Sequence, residues 1–310
     1  MSTQTTKNTA VIGAGVIGLS WAAMFAAAGY QVRVYDPRPD LADILHTSVA
    51  LYISQIPAVQ NAGADVNALA QNVSVAQSVE EAVCDAMLIQ EAGPEKIEFK
   101  QALFAQIEQF AAPDAMIVSS SSGIPSSVAG LKMRDASRLL IGHPFNPPHI
   151  LPLVEVCAAP STAQRHIDVL MDFYTHLGKK PIQLHKEIKG FVVNRLQAVL
   201  IREAAFLVEQ GVVNMAELDE LFKQSLGVRY ATIGPLLSSC LGGGAGGVSG
   251  FMNHIMNGLI ETVGQTPLSA ASIDLLETQS QEAYPAELRA QLIQKRDRQQ
   301  IWLVSGLEAV

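Results

Sequence analysis

Two groups of residues in this 310-residue sequence have the types and spacing that chemistry requires. The first is Gly13-Ala14-Gly15-Val16-Ile17-Gly18, which follows a short β-rich run and precedes a stretch of helical length. In such a motif the first glycine permits a tight turn and the second lets a pyrophosphate approach the backbone. The third lets helix and strand pack closely, while the helix N-terminus draws an anion. Asp36 stands 23 residues after Gly13, at the end of the alternating run QVRVY. A carboxylate there accepts hydrogen bonds from an adenosine ribose and repels a 2′-phosphate. Gly13, Gly15, Gly18 and Asp36 therefore point to NAD; Arg38 lies close enough to meet a 2′-phosphate, but Asp36 at the strand end favours NAD over NADP. The plain alternative is a nucleotide fold that has lost its ligand.

The second group lies between residues 119 and 195. Ser119-Ser120-Ser121-Ser122-Gly123 and His143-Pro144-Phe145-Asn146-Pro147 each follow a β-rich run, Glu155 stands in LPLVEV, and Asn194-Arg195 falls in a helical stretch. A histidine, with an ordinary pKa near 6.5, can take a hydroxyl proton while hydride leaves for a nicotinamide. A carboxylate on its other ring nitrogen would hold the tautomer and stabilise the imidazolium. Glu155, among apolar neighbours, needs a partner, because a lone buried carboxylate is costly. Each residue also has a structural reading: a histidine in a Pro-rich loop, serines opening a turn, an acid on a solvated sheet edge, a polar pair on a helix surface. Position alone leaves that choice open.

The elements that must hold these residues alternate. Residues 9–12, 31–35, 73–76, 86–90, 116–119, 139–141, 153–157 and 181–184 read as strands, while 16–28, 41–60 (broken near Pro57) and 95–110 read as helices. Alternation of this kind predicts an α/β fold with a doubly wound parallel sheet of Rossmann type. Beyond the charged connection Lys186, Glu187 and Lys189 the pattern turns helical, with a long apolar stretch at 191–209. Asn214 and Glu217 form a capping-box pattern opening a helix at 215–226, with Gly227 as its expected stop. The expected division is a nucleotide-binding domain over 1–188 and an all-helical domain over 189–310.

Composition narrows the class. The chain is 49% hydrophobic and 16% charged, with a net charge of -8 and no Lys/Arg run, which excludes a nucleic-acid backbone as partner. Residues 10–30 carry no charge and have the length of a membrane span, but the clustered glycines favour a buried nucleotide fold over a membrane. The leader MSTQTTKNT is too polar for a secretory signal. Cys84, Cys157 and Cys240 are odd in number and far apart, so neither a disulfide framework nor a metal site is expected and a reducing cytoplasm fits. Residues 230–260 are also charge-free and include the glycine cluster 242–247. Such a run calls for a cover, either the first domain or a second subunit, so a homodimer is expected.

GAGVIG, EAGPE at 91–95, SSSSG, GHPFNPP, LVEV and GFVVNRL stand in the order and near the spacing of the 3-hydroxyacyl-CoA dehydrogenase superfamily, which the chain resembles over nearly its whole length. The resemblance implies NAD-dependent oxidation of a 3-hydroxy group, or its reverse, by a Rossmann domain followed by a helical dimerisation domain. By matching position it implies His143 as the base and Glu155 as its orienting acid. Ser122, 21 residues before His143, matches the serine that bonds the reacting oxygen, and Asn194 the asparagine that places substrate and nicotinamide. Glu91 and Lys96 match residues lining the cofactor cleft.

Gly227-Val228-Arg229-Tyr230-Ala231-Thr232-Ile233-Gly234-Pro235 departs from the acyl-CoA enzymes. It resembles the branch containing L-gulonate 3-dehydrogenase, lambda-crystallin and L-carnitine dehydrogenase, whose substrates are small hydroxy acids with a carboxylate. Arginine's planar fork suits that anion, which implies Arg229 as its partner, against an interface or structural ion pair as the plain reading. The expectation is a cytoplasmic, homodimeric, NAD-dependent dehydrogenase of a small L-3-hydroxy acid. The alternatives are a short-chain L-3-hydroxyacyl-CoA dehydrogenase and a non-catalytic, crystallin-like dinucleotide-binding protein.

Overall fold

The computed structural model describes residues 7–243, 247–251 and 285–308, together with Met256, Leu275 and Thr278. Gly244 and Gly246 of the glycine cluster, and residues 252–255 and 257–260 of the charge-free run, lie outside the described residues. The chain divides into two compact units: Met1–Val192 with Asp297–Val310, and Val193–Arg296. The break thus falls just past the expected residue 188, and the last residues group with the first unit.

In the first unit β1 (Asn8–Ile12), β2 (Gln31–Tyr35), β3 (Val73–Val75), β4 (Leu88–Glu91), β5 (Met116–Ser119), β6 (Leu139–Pro144), β7 (Leu153–Ala158) and β8 (Lys180–Gln183) form one sheet. Its order is β3-β2-β1-β4-β5-β6-β7-β8. The helices are α1 (Val16–Ala27), α2 (Leu41–Gln55), α3 (Pro57–Ala62), α4 (Val66–Ala70), α5 (Val79–Val83), α6 (Ile97–Phe110), α7 (Ser126–Ala129) and α8 (Gln164–His176). Alternation along β1 shows why both faces are covered. Val11 packs in a cluster with Trp21, Phe25, Leu45 and Tyr174, whereas Ala10 and Ile12 pack in another with Val83, Phe104 and Ile107. α1 is buried from Gly18 to Ala26, so the charge-free stretch is an interior helix, where a charge would lose its water without a partner.

Strands β1 to β6 are parallel, as expected, but β7 runs antiparallel to β6 and β8 parallel to β7. The cause is the link between them. Residues 145–152 contain no helix, and a parallel return needs a crossover of about a dozen residues or more. The strand order reverses between β1 and β4, which places the ligand crevice of such a sheet at their carboxyl ends.

Each described element of the second unit is helical, beginning with α9 (Val193–Glu209) and α10 (Met215–Phe222). The capping box forms: Asn214 Oδ1 accepts the Glu217 N–H at 2.9 Å and Glu217 Oε2 accepts the Asn214 N–H at 2.9 Å. Gly227 is not a stop. It is right-handed (φ -59, ψ -52) and closes a π turn, Lys223–Gly227, that feeds α11 (Val228–Thr232). The run ends instead at Ile233, which is extended, before Gly234 and α12 (Pro235–Gly242). Among the described residues no helix is long and apolar enough to cross a membrane.

Candidate active site

β1 runs into the glycine turn, where the three glycines face different constraints. Gly13 has φ +106, and a Cβ there would lie 2.6 Å from the Ala92 carbonyl oxygen. At Gly18 a Cβ would come within 1.8 Å of the Gly13 carbonyl oxygen, so helix and turn close only over a hydrogen atom. Gly15 opens onto free space and is the N-cap of α1, with no side chain capping the helix. That leaves first-turn N–H groups for an anion. Asp36 Oδ2 accepts the Ala14 N–H at 2.7 Å and Oδ1 the Arg38 N–H at 3.0 Å, which fixes the carboxylate at the end of β2 beside the turn. Arg38 forks onto Asp40, with Nε to Oδ1 at 2.7 Å and Nη2 to Oδ2 at 2.9 Å. The hydrogen bond to Arg38 holds the Asp40 carboxyl below its usual range. These residues fit an adenine dinucleotide with a free 2′-hydroxyl.

His143 is not in a loop. It lies on β6, directly across the antiparallel ladder from Glu155 on β7, because the hydrogen-bonded strand continues through Pro144. Opposed residues share a face, and here Nδ1 lies 2.8 Å from Glu155 Oε2, with both side chains buried. A carboxylate can only accept, so Nδ1 carries a proton and Nε2 is the nitrogen turned away from Glu155. Glu155 Oε1 accepts the Val192 N–H at 3.0 Å. That N–H is aimed by the turn before it: Gly190 has φ +78 and Phe191 has φ +48, the one non-glycine positive φ among the described residues. Such a conformation costs roughly 1–3 kcal/mol. The Phe191 ring is fully buried and, with Phe145, flanks the imidazole at centroid distances of 5.5 and 4.7 Å.

The serine run follows β5, the neighbour of β6, and its geometry depends on Glu95. Glu95 Oε1 accepts from Ser121 Oγ at 2.6 Å, from the Ser122 and Gly123 N–H groups at 3.0 Å each, and from Ser122 Oγ at 3.4 Å. Burial opposes its charge, but the Ser121 hydroxyl, Lys100 and the Gly123 N–H outweigh it and hold the carboxyl below the usual range. Glu91 is wholly buried. Its carboxylate takes Lys100 Nζ at 2.8 and 2.9 Å, Ser119 Oγ at 2.6 Å and the Gly93 N–H at 2.7 Å. Lys96 is exposed at the N-cap of α6. Asn194, in the first turn of α9, and Arg229, exposed just after the π turn, belong to the second unit.

Two supports of the site went unread in the sequence. Lys100 is one, although its spacing to Leu103, Phe104 and Ile107 puts it on the inward stripe of α6, a signal that a buried cation needs carboxylates. The other is the anchoring of the 145–152 link. His149 lies 3.0 Å from Ser20 Oγ and 2.7 Å from Gln55 Oε1 and stacks on Tyr52, while buried Lys179 donates to the carbonyls of Pro148 and Leu151.

Residues 8–188 match the family model of the 3-hydroxyacyl-CoA dehydrogenase NAD-binding domain, and residues 190–272 that of the 3-hydroxyacyl-CoA dehydrogenase C-terminal domain. A 3-hydroxyacyl-CoA dehydrogenase of Gibberella moniliformis is 40% identical over 254 residues, 82% of this chain and 77% of that one. An L-carnitine dehydrogenase of Streptomyces griseus is 37% identical over 295 residues, 94% of this chain and 87% of that one. Among solved structures, 5-formyl-3-hydroxy-2-methylpyridine 4-carboxylic acid 5-dehydrogenase, an NAD+-dependent dismutase, superposes with a TM-score of 0.83 at 27% identity. That superposition covers 97% of this chain and 98% of that one.

Proposed function

The chain belongs to the 3-hydroxyacyl-CoA dehydrogenase family of NAD-dependent enzymes, and we propose that it oxidises the 3-hydroxy group of a small, carboxylate-bearing L-3-hydroxy acid to the 3-keto acid, reversibly. The observation that carries this reading is the buried His143–Glu155 pair at the carboxyl edge of the sheet, one strand along from the serine run. Bound NAD supplies the hydride acceptor. His143 Nε2 takes the hydroxyl proton as base, and Glu155 stabilises the imidazolium that forms. Ser122 and Asn194 hold the reacting oxygen. Lys96 faces the cofactor, and Glu91 acts on the cleft by bracing the ends of β4 and β5 through Lys100 and Ser119. In this reading residues 1–188 carry the nucleotide and 189–310 the substrate and subunit contacts.

Arg229 pairs with the substrate carboxylate. The π turn before it supports the assignment, since such turns recur at functional sites. So do the relatives: L-carnitine is a 3-hydroxy acid, and the structural neighbour's substrate is a carboxylic acid. Leu196, Val199, Leu200 and Ile201 on α9 and Leu236 on α12 are exposed in the single chain, which supports a homodimer through the second unit. The three free cysteines support a reducing, cytoplasmic setting.

The Gibberella relative favours a second reading, a short-chain L-3-hydroxyacyl-CoA dehydrogenase. NADH formation across free 3-hydroxy acids, L-carnitine and 3-hydroxybutyryl-CoA separates the two, with Arg229→Ala run beside wild type. Losses in Arg229→Ala confined to free carboxylates support the first reading. Higher turnover on the thioester supports the second, and NAD binding without turnover on any of them supports a crystallin-like role.

A further inference from the structure

Ser120 is the first residue after β5, and its side chain ends a buried chain of hydrogen bonds. The Tyr174 hydroxyl donates to Gln90 Oε1 at 2.8 Å, and Gln90 Nε2 donates to Ser120 Oγ at 2.9 Å. Trp21 Nε1, which can only donate, reaches the same oxygen at 3.1 Å. Tyr174, Gln90 and Trp21 are fully buried, whereas Ser120 is half-buried.

The direction of this chain is decided by cost. Turning the Gln90 amide round would offer Ser120 an acceptor, but it would make the Tyr174 hydroxyl a donor with no other partner among the described residues. A donor left unmade in a dry interior is the more expensive arrangement. Ser120 Oγ therefore accepts twice, and its own proton points to an acceptor outside the described protein groups. Two incoming bonds also polarise the hydroxyl and make it a stronger donor.

Strand order says which acceptor. A dinucleotide held by Gly15 and Asp36 has its adenosine half over β2 and crosses at the β1/β4 reversal, so its other half lies over β4 and β5, short of His143 on β6. We propose that Ser120 is a binding residue for the nicotinamide half of the cofactor, donating its hydroxyl proton to a ribose or carboxamide oxygen there, with Trp21 and Gln90 as its positioning residues. This rests on the NAD reading above.

The test is binding, not turnover. NADH and ADP are titrated into wild type, Ser120→Ala and Ser120→Cys by calorimetry, the cysteine variant keeping a weak acceptor for the two buried donors. Loss of one hydrogen bond should weaken NADH about three- to tenfold in both variants and leave ADP within about twofold. Unchanged NADH affinity in either folded variant overturns the proposal. Equal losses for NADH and ADP do so too, since they mean a disturbed nucleotide fold. If wild type binds ADP but not NADH, the NAD reading falls with it.

Discussion

Glu155 stands opposite His143 in the antiparallel β6–β7 ladder, and its two oxygens do different work: Oε2 holds His143 Nδ1 at 2.8 Å and Oε1 holds the Val192 N–H at 3.0 Å. A parallel β7 would have shifted the facing pair and the direction of the bonds between the strands. The reversal of one strand therefore makes the dyad. The same carboxylate anchors the last residue of the first unit, immediately before α9 and Asn194.

His143→Ala should lower turnover by roughly 10²–10⁴, the usual share of a general base. Glu155→Gln should lower it by up to about 10⁴, because an amide no longer imposes the tautomer or stabilises the imidazolium. Both variants should retain NADH binding. Steady-state NADH formation on the best hydroxy acid is the measurement, and full activity in His143→Ala would remove the base from the mechanism.

Phe191 combines backbone strain with a buried ring, and the magnitudes say which dominates. Removing the ring should cost about 3–5 kcal/mol, whereas relief of a left-handed backbone returns about 1–2 kcal/mol. Phe191→Gly should thus be less stable than wild type, yet more stable than Phe191→Ala, which creates the cavity and keeps the strain. Urea unfolding of the three proteins gives the order. Alanine more stable than glycine at this position would show that the φ of +48 carries no strain.

Much of the fold was legible because its signals are local. The glycine turn, the alternation of strand and helix and the Asn214–Glu217 box each declare themselves within a few residues. Strand direction does not, since alternation along β7 is the same whichever way it runs: the pairing of His143 with Glu155 follows from the family resemblance, whereas its basis, two facing positions of an antiparallel ladder rather than a loop and a strand, does not show in the sequence. Gly227 was expected to stop a helix because glycine is the commonest left-handed residue, but its type says nothing about which of its allowed conformations the flanking turns select. The Glu91–Lys100–Glu95 hub joins the ends of β4 and β5 to α6, and charged residues near a helix start read most simply as solvated.

Lys179 gives the stability a pH dependence. Burial, with no carboxylate partner among the described residues, lowers its pKa from 10.5 to about 7, and the Pro148 and Leu151 carbonyls are its acceptors. Between about pH 7 and 10 the unfolded chain then binds more protons than the folded one, so this residue makes stability rise with pH across that window and adds no slope below it. The rise should be on the order of a few kcal/mol and should flatten in Lys179→Met. Chemical unfolding at stepped pH tests this, and identical slopes in the two proteins would mean that Lys179 stays charged in the fold.

Asp40 should guard the choice of cofactor. Its fork commits Arg38 Nε and Nη2 to a carboxylate, although the guanidinium lies beside the turn that Asp36 holds, where an arginine can accommodate a 2′-phosphate. In Asp40→Ala the guanidinium loses its carboxylate and keeps the 3.4 Å bond of Nη1 to the Ala14 carbonyl, while Asp36 remains fixed by the Ala14 N–H. NADP should then be used with a kcat/KM about tenfold higher than in wild type, the scale of one hydrogen bond to a charged group. NAD kinetics should change little, since the acid that accepts from the ribose is untouched. Removing Asp36 as well should raise NADP use further and cost NAD affinity, which separates the two acids. If Asp40→Ala leaves the NADP to NAD ratio where it was, Arg38 does not reach the 2′-position and the discrimination rests on Asp36 alone.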